Sequence, residues 1–101
     1  MERIMYFYRL KEGVAMADFW RWSLETDQPI TSRQPGVLRF ETSEVTAFTN
    51  AKYDVMEYIE AESYEAWNAV GKLPAMKKVA SEWPLYGDGS SVIEVRLKKI
   101  E

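Results

Sequence analysis

Residues 3–30, RIMYFYRLKEGVAMADFWRWSLETDQPI, contain a strand pattern followed directly by a helix pattern. Residues 3–10 are rich in aromatic and β-branched side chains on both strand faces, which is typical of a central strand covered on both sides. Gly13 ends this strand, and from Met16 the apolar spacing becomes that of a helix. The stretch therefore predicts a strand and a helix that pack against each other.

One stripe of this helix follows i, i+3, i+4 spacing. Its members are Met16, Phe19, Trp20, Ser23, Leu24, Asp27 and Ile30. Pro29 is expected to end or kink the helix near Gln28, because proline lacks an N–H and crowds the residue before it. Asp27 lies on the apolar stripe, so its carboxylate either points toward the sheet or is exposed at a fraying helix end.

The rest of the chain predicts two strands, a broken helical region and a last strand. The predicted strands are residues 37–45, 53–60 and 92–97, with loops at residues 49–51 and 87–91. Ser63 is the expected N-cap of the helical region, which breaks at Gly71, resumes at Pro74 and stops at Pro84. The order β-α-β-β-α-β predicts an α+β, ferredoxin-like domain over residues 1–101, a four-stranded antiparallel sheet with helices on one face.

A second copy of the chain is expected to cover the other sheet face. The central strands carry apolar residues on both sides, and a chain of 101 residues has no element left to cover the second one. Association of two sheets would bury it, so the pattern predicts a homodimer.

Composition excludes several classes of function. The chain has no His and no Cys, which excludes Ser-His-Asp and Cys-His catalysis, disulfides, and thiolate or imidazole metal sites. No metal and no cofactor are predicted. The net charge of −3 without a basic cluster argues against nucleic-acid binding. No signal peptide or membrane-spanning apolar run is visible, so we expect a cytoplasmic protein.

Carboxylates are the candidates for acid–base chemistry. Asp27 on an apolar face would lose solvation, which raises its pKa toward the range useful near pH 7. Glu57 lies in the middle of a predicted central strand, where Arg39, Arg3 or Arg9 could reach it across the sheet. That arrangement is either a buried ion pair or, with Arg39, a pair that orients a polar substrate edge. Asp27, Glu57 and Arg39 form the predicted catalytic set.

Tyr and Trp are more numerous than a small apolar core requires, because each has a polar end that needs a partner. A pocket for a flat aromatic ligand would explain the surplus, and core and dimer packing would explain much of it too. Trp20 and Trp22, two residues apart, cannot both face inward. The residues predicted to contact substrate are Tyr6, Tyr8, Trp20, Trp67, Tyr58 and, on a loop that closes over the pocket, Asp88; Trp83 is expected in the core.

The sequence resembles the dimeric α+β barrel superfamily, which includes the EthD-like proteins. The resemblance rests on the strand at residues 3–11, the helix after it, and the motifs DQPI at 27–30 and PGV at 35–37. Within the superfamily the chain is most similar to the RedY-like, or HapK-like, proteins, which the segment KKVASEW at 77–83 also matches.

This resemblance implies a homodimer whose two sheets form a barrel, with a ligand cavity between sheet and helices or inside the barrel. Relatives in the superfamily are cofactor-independent cyclases, isomerases and monooxygenases that act on aromatic polyketides and similar substrates. RedY-like proteins are associated with pathways to tripyrrole pigments and bisindole natural products. In EthD-like relatives a His often precedes the Pro of the motif; here Asp27 and Gln28 precede Pro29, so an inherited acid–base role would fall to Asp27.

Three functions are open at this point. The first is a cofactor-independent enzyme that directs cyclisation or rearrangement of a small, reactive aromatic substrate. The second is a protein that binds or delivers such a ligand unchanged, which recovery of unconverted ligand would reveal. The third is a structural dimer, which a solid interior without a cavity would favour.

Overall fold

The strands form the sheet that the element order predicts. The computed structural model describes residues 1–47 and 52–101, and the predicted loop at residues 49–51 lies outside the described residues. The strands are β1 (Glu2–Tyr8), β2 (Val37–Glu44), β3 (Val55–Ala61) and β4 (Ile93–Leu97). They lie in the order β2-β3-β1-β4 with every neighbouring pair antiparallel, which confirms the ferredoxin-like α+β fold.

The first helical region continues past Gln28, so of the two predicted effects of Pro29, an end or a kink near Gln28, the end is wrong. The region comprises α1 (Met16–Trp22), a π-helical turn (Ser23–Asp27) and α2 (Gln28–Thr31). The Gln28 N–H donates to the Ser23 carbonyl, five residues earlier, which widens the turn. Pro29 lies directly after this wider turn, in the first turn of α2, and the helix passes it without stopping.

The π turn also decides which side chains of the helix face the sheet. At regular α-helical spacing Asp27 would share a face with Trp20 and Leu24. The extra residue of the π turn rotates Asp27 by about 100°, onto the face of the buried Phe19 and Trp22. Trp20 and Leu24 are 51% and 58% exposed, so their predicted inward placement is wrong.

The N-cap and the breaks of the second helical region lie where the sequence predicts them. It contains α3 (Tyr64–Val70), a 3₁₀ turn (Pro74–Met76), α4 (Lys77–Glu82) and further 3₁₀ turns at Trp83–Leu85 and Gly89–Ser91. Ser63 caps α3, because its Oγ accepts the Ala66 N–H at 3.0 Å. Within the described ranges, no helix is long and apolar enough to cross a membrane.

The core lies between these helices and one face of the sheet. The buried residues of the main cluster are Tyr8, Phe19, Trp22, Val55, Val70, Met76 and Val79. A second cluster consists of Ile4, Phe40, Ile59 and Ala61. Trp83 packs against the main cluster, as predicted, with its ring centroid 5.0 Å from that of Tyr8. Strand alternation places Met5, Phe7 and Met56 on the opposite sheet face, where they are only partly buried.

Candidate active site

A cavity of about 230 Å³ opens between the helices and the sheet. Its lining residues are Tyr6, Tyr8, Asp27, Thr31, Phe40, Glu57, Trp67, Met76, Val79, Trp83 and Val92. Most of these side chains are aromatic or aliphatic, and the polar ones are two carboxyl groups with the hydroxyl groups beside them. An apolar pocket with a few convergent polar groups is the usual form of a small-molecule site.

Asp27 reaches this cavity from the end of the π turn and is 3% exposed. The Thr31 hydroxyl, one helical turn later, donates to Asp27 Oδ1 at 2.7 Å. Burial raises the pKa of Asp27 to about 6, and the hydrogen bond from Thr31 opposes part of that rise. Asp27 is therefore a carboxyl group that changes its protonation state close to neutral pH.

Glu57 enters the same cavity from the middle of β3. Strand alternation places its side chain with Val55 and Ile59 on the helix-covered face, where it is 9% exposed. The Tyr8 hydroxyl, from the neighbouring β1, donates to Glu57 Oε2 at 2.5 Å. Burial, and then the charge of Asp27, raise the pKa of Glu57 to about 8, while the hydrogen bond from Tyr8 opposes the rise.

Burial raises the pKa values of both carboxyl groups, and that of Glu57 is the higher of the two. Asp27 is therefore the group of the pair that ionises first as pH rises. The pKa of Tyr8 is also raised, by burial and by Glu57, so its phenol stays protonated. Two carboxyl groups with separated pKa values can act as a general acid and a general base in one cavity.

Tyr6 and Trp67 form an aromatic wall of the cavity, held by its own hydrogen bonds. Trp67 Nε1 donates to the Tyr6 hydroxyl at 2.8 Å, and that hydroxyl donates to Glu94 Oε2 at 2.6 Å. Phe40 stacks on Trp67 with ring centroids 6.3 Å apart and an interplanar angle of 25°. These contacts give the wall a defined orientation before any ligand binds.

Arg39 does not reach Glu57, so the predicted pairing across the sheet is wrong. The register places Arg39 beside Glu60, on the other sheet face, and its guanidinium binds Glu41 at 2.6 Å. The Tyr58 hydroxyl also lies on that face and donates to Glu60 at 2.7 Å. Among the described residues no arginine forms an ion pair with Glu57. Successive side chains of a strand point to opposite sheet faces, and Arg39 and Glu57 lie on different faces.

Trp20 and Asp88 also lie outside this cavity. Trp20 lines a separate and larger pocket of about 330 Å³, which lies between α1 and the edge strand β2. Asp88 accepts the Ser90 N–H at 3.0 Å and lies 3.8 Å from Arg9, so it organises the turn before β4. Of the residues predicted for the site, the cavity brings together Asp27, Glu57, Tyr6, Tyr8 and Trp67.

Several lining residues were not predicted as part of the site. Thr31 had a detectable signal, because it follows Asp27 by four residues on a helix and carries a hydroxyl that can orient a carboxylate. Met76 and Val79 show core spacing in the sequence, and nothing local to them indicates that a cavity begins beside them.

Comparisons with known proteins agree with this fold. The chain matches the family model described as REDY-like protein HapK over residues 2–100. No curated protein sequence matches it significantly. HapK from Hahella chejuensis superposes with a TM-score of 0.82 at 21% identity, covering 99% of this chain and 93% of HapK. An EthD family protein from Bacillus halodurans gives 0.73 at 14% identity, covering 99% of this chain and 100% of that chain.

A dimeric ferredoxin-like protein of unknown function from Thermobifida fusca is similar too, with a TM-score of 0.71 at 12% identity, covering 97% of this chain and 90% of that chain. At these identities the solved structures establish the fold alone. The family match spans nearly the whole sequence and confirms the resemblance found there. The chain belongs to the family of REDY-like HapK proteins.

Proposed function

We propose that this protein is a cofactor-independent enzyme of aromatic natural-product biosynthesis, which directs cyclisation or rearrangement of a bisindole- or tripyrrole-type intermediate. The observation that carries the proposal is the pair Asp27 and Glu57, two buried carboxyl groups of different pKa in one aromatic cavity. Burying carboxyl groups without a cation disfavours folding. Such an arrangement is typical of acid–base sites.

The pair suits a proton-transfer mechanism that needs no other reagent. The Asp27 carboxylate removes a proton from one position of the bound ring system, and the Glu57 carboxylic acid delivers a proton to another. Tyr8 stabilises the Glu57 carboxylate that results, through the hydrogen bond it already donates. Return of the proton from Asp27 to Glu57 restores the starting state, so the reaction consumes no acid or base.

The expected acceleration is large enough to direct a substrate that already reacts slowly without the protein. A positioned acid–base group contributes roughly 10²–10⁴-fold. Exclusion of water by the walls at Tyr6, Trp67 and Phe40 would also suppress hydrolytic side reactions.

Ligand binding without conversion is the second candidate. Its supporting observation is the stacked wall of Phe40 and Trp67, which would hold a flat ring whether or not a proton moves. Recovery of the ligand unchanged, under conditions in which it is bound, would favour this candidate.

A product assay by liquid chromatography and mass spectrometry tests the proposal. An oxidised tryptophan-derived imine dimer is generated in place by partner enzymes and incubated with and without this protein, with no added cofactor. We expect a product ratio that changes with protein concentration and a loss of roughly 10²-fold or more in that effect for Asp27→Asn and Glu57→Gln.

Glu25→Gln is the matched control, since Glu25 lies on the same π turn but is exposed; it should behave as the unmodified protein. A product ratio that does not respond to the protein would contradict the proposed enzyme. Full activity in folded Asp27→Asn would remove Asp27 from the mechanism.

A further inference from the structure

The cavity contains negative charge and no compensating cation. Asp27 and Glu57 are the ionisable acids among its lining residues, and none of the eleven described residues that line it is Lys or Arg. When Asp27 is ionised, the pair carries a negative charge that no lining residue offsets. A ligand that enters therefore meets a single anionic centre surrounded by apolar walls.

The hydroxyl donors of the cavity are already used within the protein. Tyr8 donates to Glu57, and Thr31 donates to Asp27. Tyr6 donates outward to Glu94. The second oxygens, Asp27 Oδ2 and Glu57 Oε1, take no part in these hydrogen bonds, so a ligand can be recognised through them. Ionised Asp27 accepts hydrogen bonds and cannot donate them, whereas protonated Glu57 can also donate its proton.

The geometry points to a specific class of ligand, an inference that rests on the proposed function. The group that enters the cavity is a flat ring carrying an N–H donor or a positively charged nitrogen, such as an indole or pyrrole N–H or a protonated imine. Carboxylates of the ligand stay at the opening. An entering anion would stand beside Asp27 with no cation to offset the repulsion in a poorly solvated site.

The size of the cavity adds a second restriction. Its volume of about 230 Å³ is below the range of about 300–1,000 Å³ typical of sites for drug-sized ligands. One ring system fits, so a substrate made of two linked ring systems would place one of them in the cavity and leave the other at the opening. The carboxyl pair would then act on the ring that is enclosed.

Two probes of nearly the same shape and opposite charge test this inference. Benzamidine carries a planar cation with N–H donors, and benzoate carries a planar anion. Each is titrated at pH 7 and 0.15 M salt while the indole N–H resonances of the protein are followed by NMR. Trp67 lines the cavity and Trp20 lines the separate, larger pocket, so the two signals report where a probe binds.

We expect benzamidine to shift the Trp67 signal with an affinity at least about tenfold above that of benzoate, and to leave Trp20 unchanged. Asp27→Asn should remove most of this preference, and Glu25→Gln should preserve it. If Asp27→Asn does not fold, the same titration of the unmodified protein at pH 5, where Asp27 binds a proton, should remove the preference in the same way.

Benzoate binding at the Trp67 site as tightly as benzamidine would overturn the inference, and so would the absence of any benzamidine effect on Trp67. With either outcome, the product assay still tests separately whether the protein has the proposed enzymatic activity. Conversely, a charge preference that depends on Asp27 supports the inference even if the product ratio never changes, because the cavity would then select its ligand without converting it.

Discussion

The buried carboxyl group of Glu57 lowers the stability of the fold, but the proposed function requires it. Its carboxyl group is buried against apolar neighbours and beside Asp27, and both conditions disfavour its ionised form. Among the described side chains, the Tyr8 hydroxyl is the one that donates a hydrogen bond to it. Glutamine would fill the same space without a charge, so an acid at this position has a cost in folding that the proposed catalytic role would explain.

The pH dependence of stability follows from this burial. Glu57 keeps its proton to a higher pH when folded than when unfolded, so the free energy of unfolding falls as pH rises from about 4.5 to about 8. Glu57→Gln removes this loss. We expect the free energy of unfolding of the variant, relative to that of the unmodified protein, to increase by about 1–3 kcal/mol from pH 5 to pH 8. Urea denaturation at the two pH values measures this change.

Asp27 contributes a loss of the same sign at lower pH, from about 4 to about 6, which the Glu57 variant retains in part. Glu25→Gln, at an exposed position, should follow the unmodified protein at both pH values. A difference between Glu57→Gln and the unmodified protein that is the same at pH 5 and pH 8 would show that Glu57 does not titrate between them.

At the scale of elements, the π turn and Pro29 depend on each other. In an unbroken α-helix the Pro29 ring would clash with the Glu25 carbonyl, four residues earlier, which costs about 3 kcal/mol or more. The wider turn at Ser23–Asp27 relieves that clash and also rotates Asp27 toward the cavity. Local backbone chemistry and the position of the proposed base are thus linked.

A double-mutant cycle tests the link. Deletion of the exposed Glu25 converts the π turn to regular α-helix while Asp27 and Thr31 still face the sheet. We expect the deletion to lower the free energy of unfolding by about 3 kcal/mol when Pro29 is present and by less than about 1 kcal/mol in the Pro29→Ala background. Thermal or urea denaturation of the four proteins measures the coupling; equal losses in both backgrounds would mean that the turn has another cause.

At the scale of the whole molecule, the sheet face opposite the helices is the basis for the homodimer that we propose. Met5, Phe7 and Met56 lie there partly buried, and Ile93 on β4 is 42% exposed. A second copy packed sheet to sheet would bury these side chains and close a barrel.

Met56→Lys tests the homodimer, because it places a charge in the middle of this face without touching the cavity on the other side. We expect the unmodified chain of 11.8 kDa to elute at about twice its mass in light-scattering chromatography, and the variant at the mass of one chain. Ala75→Lys, at an exposed helical position, should leave the dimer intact. A monomer without any substitution would contradict the proposal.

The sequence by itself determined the order of elements and the ferredoxin-like fold; it also indicated Asp27 as a candidate base, but the π turn rather than the predicted stripe turns that residue toward the cavity. These depend on local signals: the change from strand to helix spacing at Met16, the cap at Ser63 and the breaks at Gly71 and Pro74. Such signals act within one or two turns of chain, so they are visible without knowledge of what packs on them.

Only the tertiary structure decided which side chains meet. Strand register placed Tyr8 rather than Arg39 at Glu57, and the docking of α1 buried Trp22 and left Trp20 exposed. The encounter of Asp27 with Glu57 requires a helix to dock on a strand far away in the sequence. Strand register and helix docking depend on contacts between segments that are distant in the sequence. The spacing of nearby residues therefore does not reveal them.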